Sequence, residues 1–129
     1  MKRNNKHYMI RKQCGKDVIH LYDPIFGRNF YAVVGKPQKV YCAALKRLFN
    51  YESAVEHDHS GYFQVLETED KEVGTLWSCD SSSTLMHECL HATFWTMREV
   101  GVPLTEASEE AYTYYQEFLY DALTRKGMR

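Results

Sequence analysis

The feature that most constrains this chain is His87-Glu88-x-x-His91, in which two histidines stand four residues apart around a glutamate. On an α-helix, positions i and i+4 lie on one face, so the imidazoles of His87 and His91 can point at one shared site. Glu88 lies one residue round from His87, where its carboxylate can reach a water at that site without binding a metal itself. Two histidine ligands and a general base are the arrangement of a zinc hydrolase, so the pattern predicts a Zn²⁺ site.

The residues around the motif predict a largely buried helix. The stretch 80–83 offers several N-cap residues just before it. The apolar run after the motif stops at Gly101, with Pro103 close behind, as expected at a helix end. The alternative to metal binding is a pair of hydrogen-bonded core histidines. Because histidines facing a core without a partner are costly to bury, this context favours metal binding.

A catalytic zinc takes three protein ligands and leaves a position for water, so a third ligand is needed. The connector at 101–104 is short, and it predicts that a last helix, from about 105 to 126, folds back antiparallel across the motif helix. Glu109 and Glu110 lie about one turn into that helix and can reach the level of His91. The alternative is that both acids are solvated and favoured in the first turn by the helix macrodipole.

Neighbouring positions leave a helix about 100° apart, so Glu109 and Glu110 cannot both face His91. Glu110 is the predicted ligand, because it lies on the side that we expect to face inward. That side is predicted from four positions, namely Ala107, Ala111, Tyr114 and Phe118. Tyr114, one turn after Glu110, is the predicted donor to transition-state charge, with core packing as its alternative role.

The motif and the following helix resemble the gluzincin branch of zinc metallopeptidases, where the glutamate of an Asn-Glu-Ala sequence is the third ligand. Glu110 and Ala111 match its last two residues, and Glu109 replaces the asparagine. Residues 17–125 resemble the small zincin-like proteins encoded in bacteriophage genomes. The resemblance rests on Tyr22-Asp23-Pro24, Phe30-Tyr31, Trp77, His87 to Ala92, and Glu110-Ala111 with Tyr114. It implies a minimal zincin-like domain in which His87, His91 and Glu110 bind Zn²⁺.

The rest of the chain predicts an α+β fold in one domain, residues 1–129, with 1–7 as a flexible tail. We expect a small antiparallel or mixed sheet, with the motif helix and the C-terminal helix packed on it. The predicted strands are 8–11, 18–22, 29–34, 61–67 and 73–78, and a further amphipathic helix is predicted over 37–50. The stretch 51–60, with His57-Asp58-His59, is expected to be a solvated loop rather than a weak metal site.

Composition excludes several classes of partner. The formal net charge of −1 argues against nucleic acid or an anionic membrane as the main partner. No apolar run reaches the ~18 residues of a membrane span and no signal peptide follows Met1, so we expect a cytoplasmic protein, in the infected host if phage-encoded. The four cysteines lack a Cys-x-x-Cys spacing and are expected to be reduced packing residues, namely Cys14, Cys42, Cys79 and Cys89. For Cys79 the alternative is a thiol near the site.

These observations predict a zinc metallopeptidase-like hydrolase with Glu88 as general base, acting on a peptide or protein substrate. The strand at 61–67 or 73–78 is expected to pair with an extended peptide through its edge. The competing prediction is a phage accessory or anti-defence protein that binds a host or phage protein and keeps zinc without turnover. The small size of this chain leaves little room for a deep specificity cleft, and this favours the binding-protein alternative. A non-peptidase zinc hydrolase is a second alternative.

Overall fold

In the computed structural model, which describes residues 8–53 and 59–125, the chain forms five strands and three helices. The strands join in one sheet in the order β1-β2-β3-β5-β4, where only the β3–β5 pair is parallel. The α+β fold class is therefore confirmed. The bounds are β1 Ile10–Gln13, β2 Ile19–Asp23, β3 Arg28–Val34, α1 Gln38–Phe49, β4 Gly61–Glu67, β5 Glu72–Ser78, α2 Ser83–Glu99 and α3 Glu109–Thr124.

The sheet separates two apolar cores. Successive residues of a strand point to opposite faces, so on the central strand β5 Leu76 packs with α2 and α3 whereas Trp77 packs with α1. β5 is buried on both faces because helices cover both sides of the sheet there. The strand β4 is at one edge of the sheet, beside α2. This arrangement leaves the outer side of β4 next to the motif helix.

The predicted β2–β3 hairpin is confirmed, and a buried carboxylate holds its loop. Asp23 Oδ1 accepts hydrogen bonds from the backbone N–H groups of Ile25, at 2.8 Å, and Phe26, at 3.2 Å. Gly27 takes a positive φ of 70°, which closes the turn at little cost for glycine. The Tyr115 hydroxyl donates to Asp23 Oδ2 at 2.6 Å, so the hairpin loop also anchors α3.

The motif helix α2 has the predicted C-terminal end. Gly101 follows it with a φ of 80°, and Val102 N donates to Met97 O at 2.9 Å, a glycine-terminated helix end. At the other end, Asp80 Oδ1 accepts from Ser82 N at 3.1 Å, so Asp80 orders the turn that leads into the helix. The helix bounds inferred from sequence around the motif are therefore confirmed.

The last helix begins later than predicted, at Glu109 instead of about residue 105. Ser108 Oγ accepts from Thr105 N at 2.9 Å and donates to Pro103 O at 2.5 Å, so these residues form a turn. Serine side chains that bond nearby backbone groups compete with helical hydrogen bonding, which explains the delayed start. The predicted end near 126 lies outside the described residues, and the described helix ends at Thr124.

The prediction of which side of the last helix faces inward was wrong. Of the four predicted positions, Ala107, Ala111 and Tyr114 are exposed, and Phe118 alone packs half-buried against the core. The apolar residues are spread widely around this helix, so their period does not define its orientation. Two tyrosine hydroxyl groups define the orientation instead. Tyr115 donates a hydrogen bond to Asp23, and Tyr112 donates one to Val102 O at 2.6 Å. The buried positions are Tyr112, Tyr115, Leu119, Ala122 and Leu123.

Other bounds differ slightly from expectation. The first strand is shifted by two residues from the predicted 8–11, because it pairs with β2 over Ile10–Gln13. The helix predicted over 37–50 is α1, with Pro37 just before it and Asn50 in the left-handed conformation after it. The predicted tail 1–7, and His57-Asp58 within the predicted loop, lie outside the described residues.

Candidate metal centre

One face of α2 lines a cleft of about 1070 Å³ between this helix and the edge strand β4. Helix positions four and seven residues apart share a face. His91 lies four residues after His87, and Arg98 lies seven after His91, so all three line the cleft along its length. The strand contributes the residues from Gly61 to Val65. The motif therefore opens onto this space, which we call the α2–β4 cleft, and not into the core.

The two motif histidines face each other as the helical spacing predicts. His87 Nε2 and His91 Nε2 are 3.3 Å apart, and their ring planes are inclined by 74°. Two nitrogen ligands at 2.0–2.1 Å from a tetrahedral zinc would be separated by about 3.3–3.4 Å. The observed separation is that of a hydrogen bond between the two imidazoles, and it is also close to one edge of a zinc coordination tetrahedron.

The electrostatics of the site favour a neutral imidazole at His91. Burial lowers the pKa of His91, and the nearby His87 lowers it further. A histidine binds a metal only in its unprotonated form. The surroundings of His91 therefore favour the form that can act as a ligand near neutral pH.

Glu88 lines the same cleft and is only 6% exposed. Burial raises the pKa of its carboxyl group, with His87 and His59 acting in the opposite direction. Gly61 makes room for it: a Cβ at that position would lie 3.0 Å from Glu88 Oε2 and 2.8 Å from Thr84 Cγ2. A raised carboxyl pKa suits a group that must take up and release a proton near neutral pH.

The free edge of β4 presents backbone hydrogen-bonding groups to the cleft. Cys79 N donates to Ser60 O, and Thr68 N donates to Lys71 O at the other end of the pairing. Ser60 and Thr68 are therefore hydrogen-bonded towards β5, and hydrogen-bonded pairs alternate with non-hydrogen-bonded pairs in an antiparallel ladder. The odd-numbered residues between them, Gly61, Phe63 and Val65, consequently point their N–H and C=O groups away from β5. All three residues line the cleft.

The far end of the cleft is aromatic and positively charged. Phe63 packs against Trp95 with a centroid distance of 5.9 Å, and the guanidinium of Arg28 lies 4.7 Å over the Trp95 ring. Phe94 and Arg98 complete this end. The arrangement offers apolar surface and a cation to whatever enters beyond the histidine pair.

The structure does not bring the other two predicted site residues to this cleft. Glu110 is exposed in the first turn of α3 and does not line the cleft. Tyr114 is 52% exposed, stacks on Phe118 at 6.4 Å and lines a separate groove with Tyr8 and Phe26. Their proposed roles as ligand and transition-state donor stay predictions.

Within residues 8–53 and 59–125, no three His, Cys, Asp or Glu side chains stand close enough together to hold a metal ion. A residue that sequence reasoning had assigned to a solvated loop does reach the cleft. His59 lines it two residues before β4, with its ring 5.6 Å from that of Tyr62. The local pattern His57-Asp58-His59 marks it as a weak metal site at most, and only the pairing of β4 beside α2 brings it to the cleft of the motif histidines.

All four cysteines are free thiols, as expected for reduced residues. Cys89 is completely buried in the core, and this burial raises the pKa of its thiol, which confirms its predicted packing role. Cys79 is exposed at the end of β5. Neither thiol is among the residues that line the α2–β4 cleft.

None of the helices in the described parts of the chain combines the length and apolar character that crossing a membrane requires. Comparisons with protein-family models, curated proteins and solved structures find no match to this chain. The geometry of the α2–β4 cleft therefore provides the structural basis for a functional assignment.

Proposed function

We propose that this protein is a zinc-dependent hydrolase that cleaves a peptide bond in an extended segment bound along β4. The observation that carries the proposal is the 3.3 Å separation of His87 Nε2 and His91 Nε2 in a cleft that also contains Glu88. Two imidazoles at the spacing of a zinc tetrahedron, with a buried carboxyl group beside them, supply two of the three ligands and the general base of a metal-assisted hydrolase.

In this proposal His87 and His91 hold Zn²⁺ through their Nε2 atoms. When bound, zinc polarises a carbonyl group and lowers the pKa of water towards about 7. Glu88 takes the proton from the attacking water and then delivers it to the nitrogen of the leaving amine. Its burial supports both steps, because a carboxyl group with a raised pKa is a better proton acceptor and still releases the proton.

The edge of β4 supports an extended peptide as the substrate. The outward N–H and C=O groups of Gly61, Phe63 and Val65 can pair with its backbone as an added strand. This end of the cleft is continuous with the histidine pair, because Gly61 lies against Glu88. Backbone pairing would hold the scissile carbonyl beside the carboxyl group independently of side-chain sequence.

The test is the substitution Glu88→Gln, which keeps the shape of the side chain but removes the base. We expect zinc content to stay at the wild-type level while cleavage of a fluorogenic peptide library falls by about 100-fold or more, the usual contribution of a general base. Glu99→Gln, at the exposed C-terminal end of the same helix, is the matched control and should cleave at the wild-type rate.

Equal cleavage by Glu88→Gln and wild type would contradict the proposed reaction. If the zinc-loaded wild type cleaves nothing and Glu88→Gln retains the biological effect, the protein is instead a binding protein with a retained zinc site.

A further inference from the structure

We propose that His59 is the third zinc-binding side chain, so that three imidazoles hold the metal in the α2–β4 cleft. This inference rests on the proposed zinc site of His87 and His91, and it replaces the acidic ligand that the sequence predicts. A zinc ion held by three histidines, with a fourth position for water, is an established type of catalytic centre.

The position of His59 is fixed by its neighbours along the chain. Ser60 O accepts a hydrogen bond from Cys79 N at 2.9 Å, which extends the β4–β5 pairing by one residue beyond Gly61. The ring of His59 then packs edge-on against Tyr62, 5.6 Å between centroids. The backbone contact of Ser60 sets the position of the chain at His59, and His59 lines the same cleft as His87 and His91.

The start of β4 lies unusually close to the motif helix. A Cβ on Gly61 would come within 2.8 Å of Thr84 Cγ2 and 3.0 Å of Glu88 Oε2, so only glycine permits this approach. The segment that carries His59 is thus pressed against the part of α2 that carries the motif.

The acidic alternatives are less well placed. Tyr112 and Tyr115 define the buried side of α3, and at 100° per residue Glu110 points about 180° away from that side. Glu109 projects from the flank of the helix, but like Glu110 it is exposed and does not line the cleft. Neither acid is therefore among the residues that form the cleft of the two histidines.

His59 needs a smaller change. The three imidazoles do not already stand at coordination distance, but the side chain of His59 is exposed and can turn by changing rotamer. Glu109 and Glu110, by contrast, are in the first turn of α3 and lie outside the cleft lining. We therefore infer that zinc binding turns the His59 ring inward onto the preformed pair.

The test measures zinc affinity by competition with a chromophoric chelator, for the full chain carrying His59→Ala, Glu109→Gln or Glu110→Gln. We expect His59→Ala to weaken zinc binding by more than about 100-fold, beyond the 10- to 100-fold effect of altering groups outside the coordination shell. Both glutamine variants should keep wild-type affinity. In Co²⁺-loaded protein, the visible absorption bands of the wild type should change in His59→Ala and remain the same in Glu110→Gln.

Two controls make the result specific. His20→Ala removes a histidine that bonds Asn29 on the sheet, far from the cleft lining, and should bind zinc normally. His57→Ala tests the neighbouring histidine in the sequence. Full affinity in His59→Ala, with the loss in Glu109→Gln, Glu110→Gln or His57→Ala, would overturn the role of His59 but leave the zinc site standing. A wild-type chain that binds no zinc would refute the site itself.

Discussion

Gly61 determines how closely the edge strand and the motif helix approach each other. A methyl group at this position meets a side-chain methyl of Thr84, the carboxylate of Glu88 and the backbone oxygen of Trp77, all within 3.0 Å. The backbone oxygen cannot move without disturbing the sheet. Part of the cleft geometry is therefore set by a residue that carries no chemistry.

We expect Gly61→Ala to lower the free energy of unfolding by about 1–3 kcal/mol, the usual cost of overpacking. It should also reduce hydrolysis, because Glu88 is displaced. The matched variant is Gly61→Ala combined with Thr84→Ser, which removes the closest colliding methyl and should recover part of the stability. Urea unfolding of the single and double variants measures this. Equal stability of Gly61→Ala and wild type would show that the strand and helix are not in contact as described.

The sequence predicts the placement of an individual site residue when that placement depends only on its neighbours along the chain. His87 and His91 face one point because the i, i+4 geometry of a helix needs no tertiary information. Glu110 and His59 depend on how separate elements pack. The inward side of α3 is set by Tyr115 reaching Asp23, 92 residues away in the sequence, and His59 enters the cleft through strand pairing. The Tyr115–Asp23 contact has no local signature, and the pattern His57-Asp58-His59 does not show which part of the fold His59 faces.

Among the elements, β4 has the most direct link to the proposed substrate. Its residues alternate between N–H groups that pair with β5 and N–H groups that face the cleft. Proline, which has no N–H, can therefore remove either kind of donor selectively.

We expect Val65→Pro to fold and to bind zinc, since the N–H that it removes is not part of the sheet. Peptide cleavage should fall at least several-fold, because one pairing donor is lost. Gln64→Pro removes an N–H that faces β5 and should destabilise the protein by about 1–3 kcal/mol. Circular dichroism melts and cleavage assays on both variants decide this. Normal cleavage by a folded Val65→Pro protein would argue against substrate pairing along β4.

The order of the elements was largely predictable, because alternation and helical periodicity are properties of single segments. The hairpin of β2 and β3, the strands β4 and β5, and the motif helix all follow their patterns. The start of α3 did not, since a single hydroxyl, Ser108 Oγ, holds residues 103–108 in a turn. The sheet order, with a parallel β3–β5 pair, was not predicted in detail because it results from how α1 crosses between strands.

Across the whole molecule, buried phenols couple stability to alkaline pH. Burial raises the pKa of Tyr41 to about 12, although its hydrogen bonds to Thr75 and Gln64 act in the opposite direction. Burial, followed by the charge of Asp23, also raises the pKa of Tyr115. An unfolded tyrosine ionises near pH ~10, so above that pH the unfolded chain binds fewer protons than the folded one, and stability must fall as pH rises.

We expect the free energy of unfolding to decrease as pH rises from about 10 to 12. Tyr41→Phe should make this decrease shallower. At neutral pH the same variant should be less stable by about 0.5–1.5 kcal/mol, because the 2.8 Å hydrogen bond between Tyr41 and Thr75 is lost. Urea unfolding at several pH values measures both effects. An identical alkaline slope in Tyr41→Phe and wild type would contradict the prediction.

Elemental analysis can show whether His87 and His91 hold zinc on the face of α2, as we propose. Full-length wild type, His20→Ala and the double variant His87→Ala/His91→Ala are each supplied with zinc, desalted and measured at equal protein concentration. We expect about one zinc per chain in the first two proteins and nearly none in the double variant. Equal zinc in all three proteins, or none in the wild type, would show that the two histidines do not form a zinc site.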